Sequence, residues 1–297
     1  MTASRSPHDE PHTRPGGRPL RGVHPDSTAH LMNRISSQLS LVPRDGGPRP
    51  APPALVMVAH GSRDPRALAT VRALAERVRE LRPMLPVRLG HIELNEPLLP
   101  GTLASLDTGE AVLVPLLLSR GYHVKQDIPE AAAAFPELST RVAAPLGPHP
   151  LLVETLYARL VEAGWRTRMS DATRRASGVV LAAAGSRDPD AAVDTRRTAR
   201  LLAERLGVPV VPAYASAAAP TVPAAVRALA ARGRHRVAVA SYFTAPGRFA
   251  TECATAAPWI AAAPLGAHPA MARLVLHRYD RAAAGTEPAP KHALASA

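Results

Sequence analysis

His60-Gly61-Ser62-Arg63-Asp64-Pro65 returns later in the same chain as Ala184-Gly185-Ser186-Arg187-Asp188-Pro189. Five of the six residues repeat. The one that changes is the imidazole, the group among them best suited to bind a metal or accept a proton near neutral pH. An apolar run, Leu55-Val56-Met57-Val58, precedes the first copy, and Gly178–Ala182 precedes the second. Pro65 and Pro189 then open amphipathic stretches, Pro being well tolerated in a first helical turn because its missing N–H has no partner there. Each copy therefore reads as buried strand, turn, helix.

The pattern extends outward from there. In the first unit the periodicity predicts strands over Val87–Ile92, Ala111–Leu118 and Arg141–Leu146. Helices are expected over Pro97–Leu106, after Gln126, and over Pro150–Ala163. The second unit repeats the order, with strands at 208–213, 236–243 and 259–265. Its helices fall at 189–206, 220–231, about 249–256, and from Pro269 to about Tyr279. The ends match as well, since Pro145-Leu146-Gly147-Pro148-His149-Pro150 is echoed by Pro264-Leu265-Gly266-Ala267-His268-Pro269. A near-constant offset of roughly 120 residues over so many elements marks an internal duplication. Alternating strands and helices imply an α/β fold with parallel sheets covered on both faces. The expected organisation is a disordered extension over 1–53, a first repeat over 54–165 and a linker over 166–177. A second repeat follows over 178–282, then a disordered tail over 283–297.

The chain has 297 residues, is 46% hydrophobic but only 3% aromatic, and carries a formal charge of +12. Its cores must be built from Ala, Leu and Val. The basic residues are scattered and belong to no nucleic-acid recognition motif, so nucleic acid is not an expected partner. The lone Cys253 excludes an intrachain disulfide and a thiolate cluster, and fits a reducing cytoplasm. No apolar run reaches the ~18–20 residues that cross a bilayer, so no membrane association is expected. No Gly-x-x-x-x-Gly-Lys loop is present, so no ATP is implied.

Ligands of open parallel sheets gather beyond the C-terminal strand ends. In the first unit three reactive side chains fall there: His60 after strand one, Glu93 after strand two, and His123 after strand three. Two imidazoles and a carboxylate suit divalent Fe, Co, Ni or Zn, and three protein ligands leave positions open for a substrate. Glu96 is the alternative carboxylate. The aligned positions in the second unit are Ala184, Ser216 and Phe249, so all three functions vanish together while the frame around them persists. His91, His149 and His268 read as structural, and Asp64 and Asp188 as helix caps. Arg63, Arg120 and Lys125 are candidate contacts for the carboxylates of an anionic ligand.

His60-Gly61-Ser62-Arg63, Glu93-Leu94-Asn95-Glu96-Pro97 and Gly121-Tyr122-His123-Val124-Lys125-Gln126-Asp127-Ile128-Pro129 resemble the class II tetrapyrrole chelatases. These are the CbiX-type sirohydrochlorin ferrochelatases and cobaltochelatases. The resemblance covers about residues 54 to 280 and implies two tandem flavodoxin-like units facing each other across a cleft, one fused chain acting as a monomer with a pseudo-dimeric fold. It implies His60 and His123 as catalytic, metal-handling histidines and Glu93 as the carboxylate. The implied reaction inserts Fe²⁺, the favoured metal, or Co²⁺ into sirohydrochlorin, two protons leaving, with no permanently bound cofactor. A tetrapyrrole or metal carrier without insertion activity is the main alternative. A His-dependent phosphatase is the weaker one, because Ala59 stands where that class places Arg.

Overall fold

The structure, a computed structural model, describes residues 51–106 and 109–285. The extension over 1–50 and the tail from 286 onward lie outside them. Two four-stranded parallel sheets are present. In the first, β1 (Ala54–Ala59), β2 (Val87–His91), β3 (Glu110–Pro115) and β4 (Ser139–Val142) run in the order β2-β1-β3-β4. In the second, β5 (Ser177–Ala183), β6 (Val210–Tyr214), β7 (Arg236–Tyr242) and β8 (Ile260–Ala261) repeat it as β6-β5-β7-β8. The register repeats too: Ala59 pairs with His91 in one sheet and Ala183 with Tyr214 in the other.

Helix α1 (Pro65–Leu81) begins where Asp64 accepts the Arg66 amide at 2.9 Å, with Pro65 in the first turn. Its buried positions are Ala67, Val71, Leu74, Ala75 and Val78, the three-and-four spacing of one helical face. The first unit continues with α2 (Leu99–Ala104), a π-helical turn (His123–Asp127), α3 (Ile128–Ala133) and α4 (Pro150–Glu162). The expected linker is partly ordered. It contains α5 (Asp171–Ala176), capped by the Ser170 hydroxyl, and Ser177 already belongs to β5. The second unit has α6 (Pro189–Leu206), α7 (Val222–Ala230), α8 (Arg248–Thr255) and α9 (Pro269–Ala283). Asp188 caps α6 as Asp64 caps α1, so the repeated Arg-Asp-Pro is explained by one helix start used twice.

Alternation along the strands sorts the side chains into layers. Val56, Val58 and Leu113 face outward under α2 and α3, and Val180, Ala182 and Val239 face outward under α7 and α8. The inner faces, including Leu55, Met57, Val112, Val179, Leu181 and Ala238, share a single core with α1, α4, α6 and α9. The last helix of each unit covers the sheet of the other: α9 packs on β3 and β4, and α4 packs on β7. Matching arginines fasten the exchange. Arg159 of α4 donates to the Leu265 carbonyl at 2.9 and 3.1 Å, and Arg278 of α9 donates to the Leu146 carbonyl at 3.3 Å. The described residues from Pro52 to Gly285 accordingly form one compact unit, in which the two sheets flank the shared core and α2, α3, α7 and α8 cover their outer faces.

Three strands stop several residues short of the expected range. The strand expected to reach Leu118 stops at Pro115. Those expected over 141–146 and 259–265 end at Val142 and Ala261. Proline supplies no ladder N–H, and Pro115, Pro145 and Pro264 sit where these strands fail. Isolated bonds such as Leu146 N to Leu117 O at 2.8 Å and Leu265 N to Phe243 O at 2.9 Å continue the path without regular pairing. Among the described residues no helix is long and apolar enough to cross a membrane.

His149 and His268 cap α4 and α9, each accepting an amide through Nδ1 at 3.1 and 3.2 Å. Burial, then Arg278 and His277, push the His149 imidazole down to about 4. The unfolded chain therefore takes up a proton near pH 6.5 that the folded chain refuses until about pH 4, and stability falls as pH drops through that window. Thermal melts of His149→Asn, which caps without titrating, are expected to fall less steeply over this range than wild type. A shared core also predicts one cooperative transition. Leu156→Ala, at a site 1% exposed, should cost about 2–5 kcal/mol and lower a single calorimetric peak; two resolved peaks would contradict the shared core.

Candidate functional site

β1 ends at Ala59, and the chain turns through His60 and Gly61. Gly61 has φ +105°, and a Cβ there would lie 1.8 Å from the Glu93 carbonyl oxygen. Only glycine permits this approach. The β1–β2 ladder runs past the strand ends: Ile92 N donates to Ala59 O at 2.9 Å and Glu93 N to His60 O at 3.0 Å. Glu93 is thus fixed beside His60, with Oε1 3.4 Å from Nδ1. Asn95 closes the loop by accepting the Ser62 amide at 2.7 Å.

His123 opens the π-helical turn after β3, where Lys125 N and Val124 N both donate to Gly121 O. Its ring meets the His60 ring edge-to-face, with centroids 4.6 Å apart. Its Nδ1 contacts the Asp127 carboxylate one turn on. A carboxylate on Nδ1 fixes a histidine's tautomer and ring orientation. The side chains of His60, His123 and Glu93 are 43%, 37% and 51% exposed, so the pair is accessible from solvent. Burial and then the neighbouring His123 hold the His60 imidazole below its usual range, with Glu93 pulling it partly back. His60 is therefore neutral at pH 7.

The structure brings His60, Glu93 and His123 together, as the sequence predicts. It does not close them into a preformed cage: no group of three or more His, Cys, Asp or Glu among the described residues is arranged to hold a metal ion. Each Nδ1 already faces a carboxylate, leaving the two Nε2 atoms as the remaining imidazole donors. Asp127 is the partner of His123 that sequence reading missed. The signal was its spacing of four from His123, visible only if the helical path starts at His123 rather than after Gln126. Arg63 is exposed on the turn beside His60.

Arg120 and Lys125, expected to receive ligand carboxylates, are ion-paired with the second unit. Arg120 forks onto Asp194 at 2.7 and 3.0 Å, and Lys125 Nζ lies 2.7 Å from Asp188 and 3.0 Å from Asp190. Their charge is matched within the fold, and the matching acids lie more than sixty positions away, beyond any local pattern. His91 is structural: it is buried, with Nδ1 3.1 Å from the Pro97 carbonyl oxygen.

The second unit repeats the frame without the chemistry. Gly185 has φ +93°, and its added Cβ would lie 1.8 Å from Ser216 O. Ser216 N donates to Ala184 O at 2.9 Å, as Glu93 N does to His60 O. Even the left-handed Leu94 (φ 67°) is matched by Ala217 (φ 57°). Gly121 faces Ser186 across the units and Gly247 faces Ser62, so the alignment of His123 with Phe249 follows the geometry.

A family model described as CbiX matches residues 54–163 and again 178–282. The chain belongs to the CbiX family. A sirohydrochlorin ferrochelatase of Bacillus subtilis is 30% identical over 175 residues, 56% of this chain and 64% of the relative. A sirohydrochlorin cobaltochelatase of Methanococcus aeolicus is 38% identical over 80 residues, 26% of this chain and 56% of the relative. The chain thus spans less than two thirds of the length of these curated relatives. Among solved structures, SirB from Bacillus subtilis with Fe³⁺ superposes with a TM-score of 0.65 at 24% identity, covering 79% of this chain and 97% of SirB. A structure of CbiX, described as the terminal enzyme of siroheme biosynthesis in denitrifying bacteria, gives 0.59 at 23% identity, covering 77% and 99%. At these identities the likeness speaks for the fold. Within this CbiX-family chain, the frame and the chemistry can be separated experimentally. Gly61→Ala and Gly185→Ala should each destabilise by about 1–3 kcal/mol in chemical denaturation. Only Gly61→Ala should also shift the His60 ring resonances, and equal shifts in both variants would break the assignment of chemistry to one unit.

Proposed function

We propose that the protein is a sirohydrochlorin chelatase that inserts Fe²⁺, the favoured metal, or Co²⁺ into the macrocycle. The observation that carries this reading is the edge-to-face pair of His60 and His123 in the first unit, with Ala184 and Phe249 at the matching places of the second. The relatives' names supply the substrate, and both metals occur among them. The metal is substrate here, not a resident cofactor, and no nucleotide takes part.

Insertion requires a divalent ion to reach the ring nitrogens while two pyrrole N–H protons depart. His60 is neutral at pH 7, so its lone pair is available both to bind a borderline metal and to accept a proton. His123, backed by Asp127, offers a second imidazole a ring's width away. Glu93 beside His60 favours the imidazolium that results when His60 takes a proton. A net charge of +12 draws a polycarboxylate substrate toward the protein. The second unit supplies a wall but no second reacting centre, so one chain holds one site.

The test is anaerobic. Loss of free sirohydrochlorin absorbance is followed with Fe²⁺ and with Co²⁺, separately and in competition. Wild type should accelerate the loss in the presence of metal. His60→Ala and His123→Ala should each lower turnover by about 10²-fold or more, with folding unchanged by circular dichroism. Tight binding of sirohydrochlorin with no acceleration would instead identify a carrier.

A further inference from the structure

The segment that delivers His123 is gripped from the other unit. Thr244 Oγ1 donates to the Leu116 carbonyl at 2.9 Å, and Tyr242 Oη donates to the Leu118 carbonyl at 2.8 Å. Asp194 accepts the Arg120 backbone amide at 2.9 Å and its guanidinium at 2.7 and 3.0 Å. Every second residue from Leu116 to Arg120 is therefore held by a side chain of the unit that has lost its histidines. Gly147 backs the grip: a Cβ there would lie 2.3 Å from Leu118 O and 2.4 Å from Tyr242 Oη.

The grip is one-sided. The pseudo-twofold relation sets matching segments against each other, yet Leu116 and Leu118 bring no hydroxyl to the places that Tyr242 and Thr244 fill. The positions matching Arg120 and Asp194 are Pro246 and Thr70, which cannot form an ion pair. Asp194 is also not an ordinary surface acid. Its side chain is 5% exposed, and three charge-assisted bonds to one residue satisfy it. A buried carboxylate of this kind is costly unless fully paired, and here the pairing is with the segment that carries His123.

We propose that Asp194 is a positioning residue: through Arg120, with Tyr242 and Thr244 beside it, the degenerate unit holds His123 against His60. For turnover this rests on the chelatase reading; for the position of His123 it does not. Full-length Asp194→Ala and Tyr242→Phe are compared with Asp280→Asn, which removes a different inter-unit fork, to Arg82, far from the His123 segment. In Asp194→Ala and Tyr242→Phe the His123 ring cross-peak in a ¹H–¹³C spectrum should move, while those of His149 and His268 stay. Turnover should fall roughly 10-fold or more with KM for sirohydrochlorin within about 2-fold. Asp280→Asn should lower Tm while leaving kcat and the His123 signal unchanged. An unmoved His123 signal in both variants, or a kcat loss matching that of Asp280→Asn, overturns the proposal. If Asp194→Ala does not fold, Tyr242→Phe, which keeps the ring, decides. If wild type inserts no metal, the chelatase reading fails and the His123 cross-peak still decides the positioning.

Discussion

A backbone contact with no room for a Cβ underlies the whole arrangement. Gly61 presses against the Glu93 carbonyl, and that approach lets the ladder between β1 and β2 continue beyond both strands. It fixes the turn that carries His60, aims Asp64 at the first amides of α1, and sets Glu93 next to the imidazole. The same contact between Gly185 and Ser216 survives where Ala184 and Ser216 stand in place of His60 and Glu93. The glycine is therefore required by the fold, whichever side chains flank it. A left-handed residue persists at Leu94 and Ala217 for the same reason: the loop geometry is inherited whole, whatever side chain rides on it.

The second unit, which lacks the imidazoles, makes charged contacts with the first. A symmetric pair of sites would need two His-bearing loops facing two identical helix starts. Here the helix start of the second unit presents Asp188, Asp190 and Asp194, and these meet Lys125 and Arg120 of the first unit. The reciprocal face, with Asp64 bonded to Arg66 on its own helix, makes no such crossing. The exchange of α4 and α9 adds a second tie, since part of each sheet's inner face is covered by the other unit's helix. Separate domains joined by a linker would tolerate relative motion. A shared core instead joins the two units through packed side chains on both inner sheet faces.

The fold was largely legible in the sequence because its signals are local. Apolar runs, Pro at helix starts and a six-residue repeat need no tertiary knowledge, and 189–206 was read to the residue. The site was legible in part. His60 and Glu93 could be placed because each follows a strand, and His123 because it follows the third. The partner Asp127 was hidden by a helix start placed four residues late. The roles of Arg120 and Lys125 were hidden by distance along the chain, since nothing local to 120–125 shows that Asp194 will lie beneath it. The strand ends at Pro115 and Ala261 were overrun because hydrophobicity continues past the point where ladder hydrogen bonds cannot.

The open geometry at His60 and His123 bears on what such a site can do with a metal. Closed sites of four protein ligands bind zinc with apparent free energies of about 10–16 kcal/mol. A macrocycle would have to overcome that to take the ion. Here two imidazoles stand a ring's width apart, each backed at Nδ1 by a carboxylate that orients it without being part of a cage. An ion held by two imidazole nitrogens would keep most of its coordination sphere for water, which four ring nitrogens could replace stepwise. The same openness weakens discrimination. Fe²⁺ and Co²⁺ are neighbours in the affinity order for nitrogen ligands, and two imidazoles impose no coordination geometry that separates them. On the chelatase reading, the choice between the metals therefore falls to their supply and to the macrocycle's own fit more than to His60 and His123.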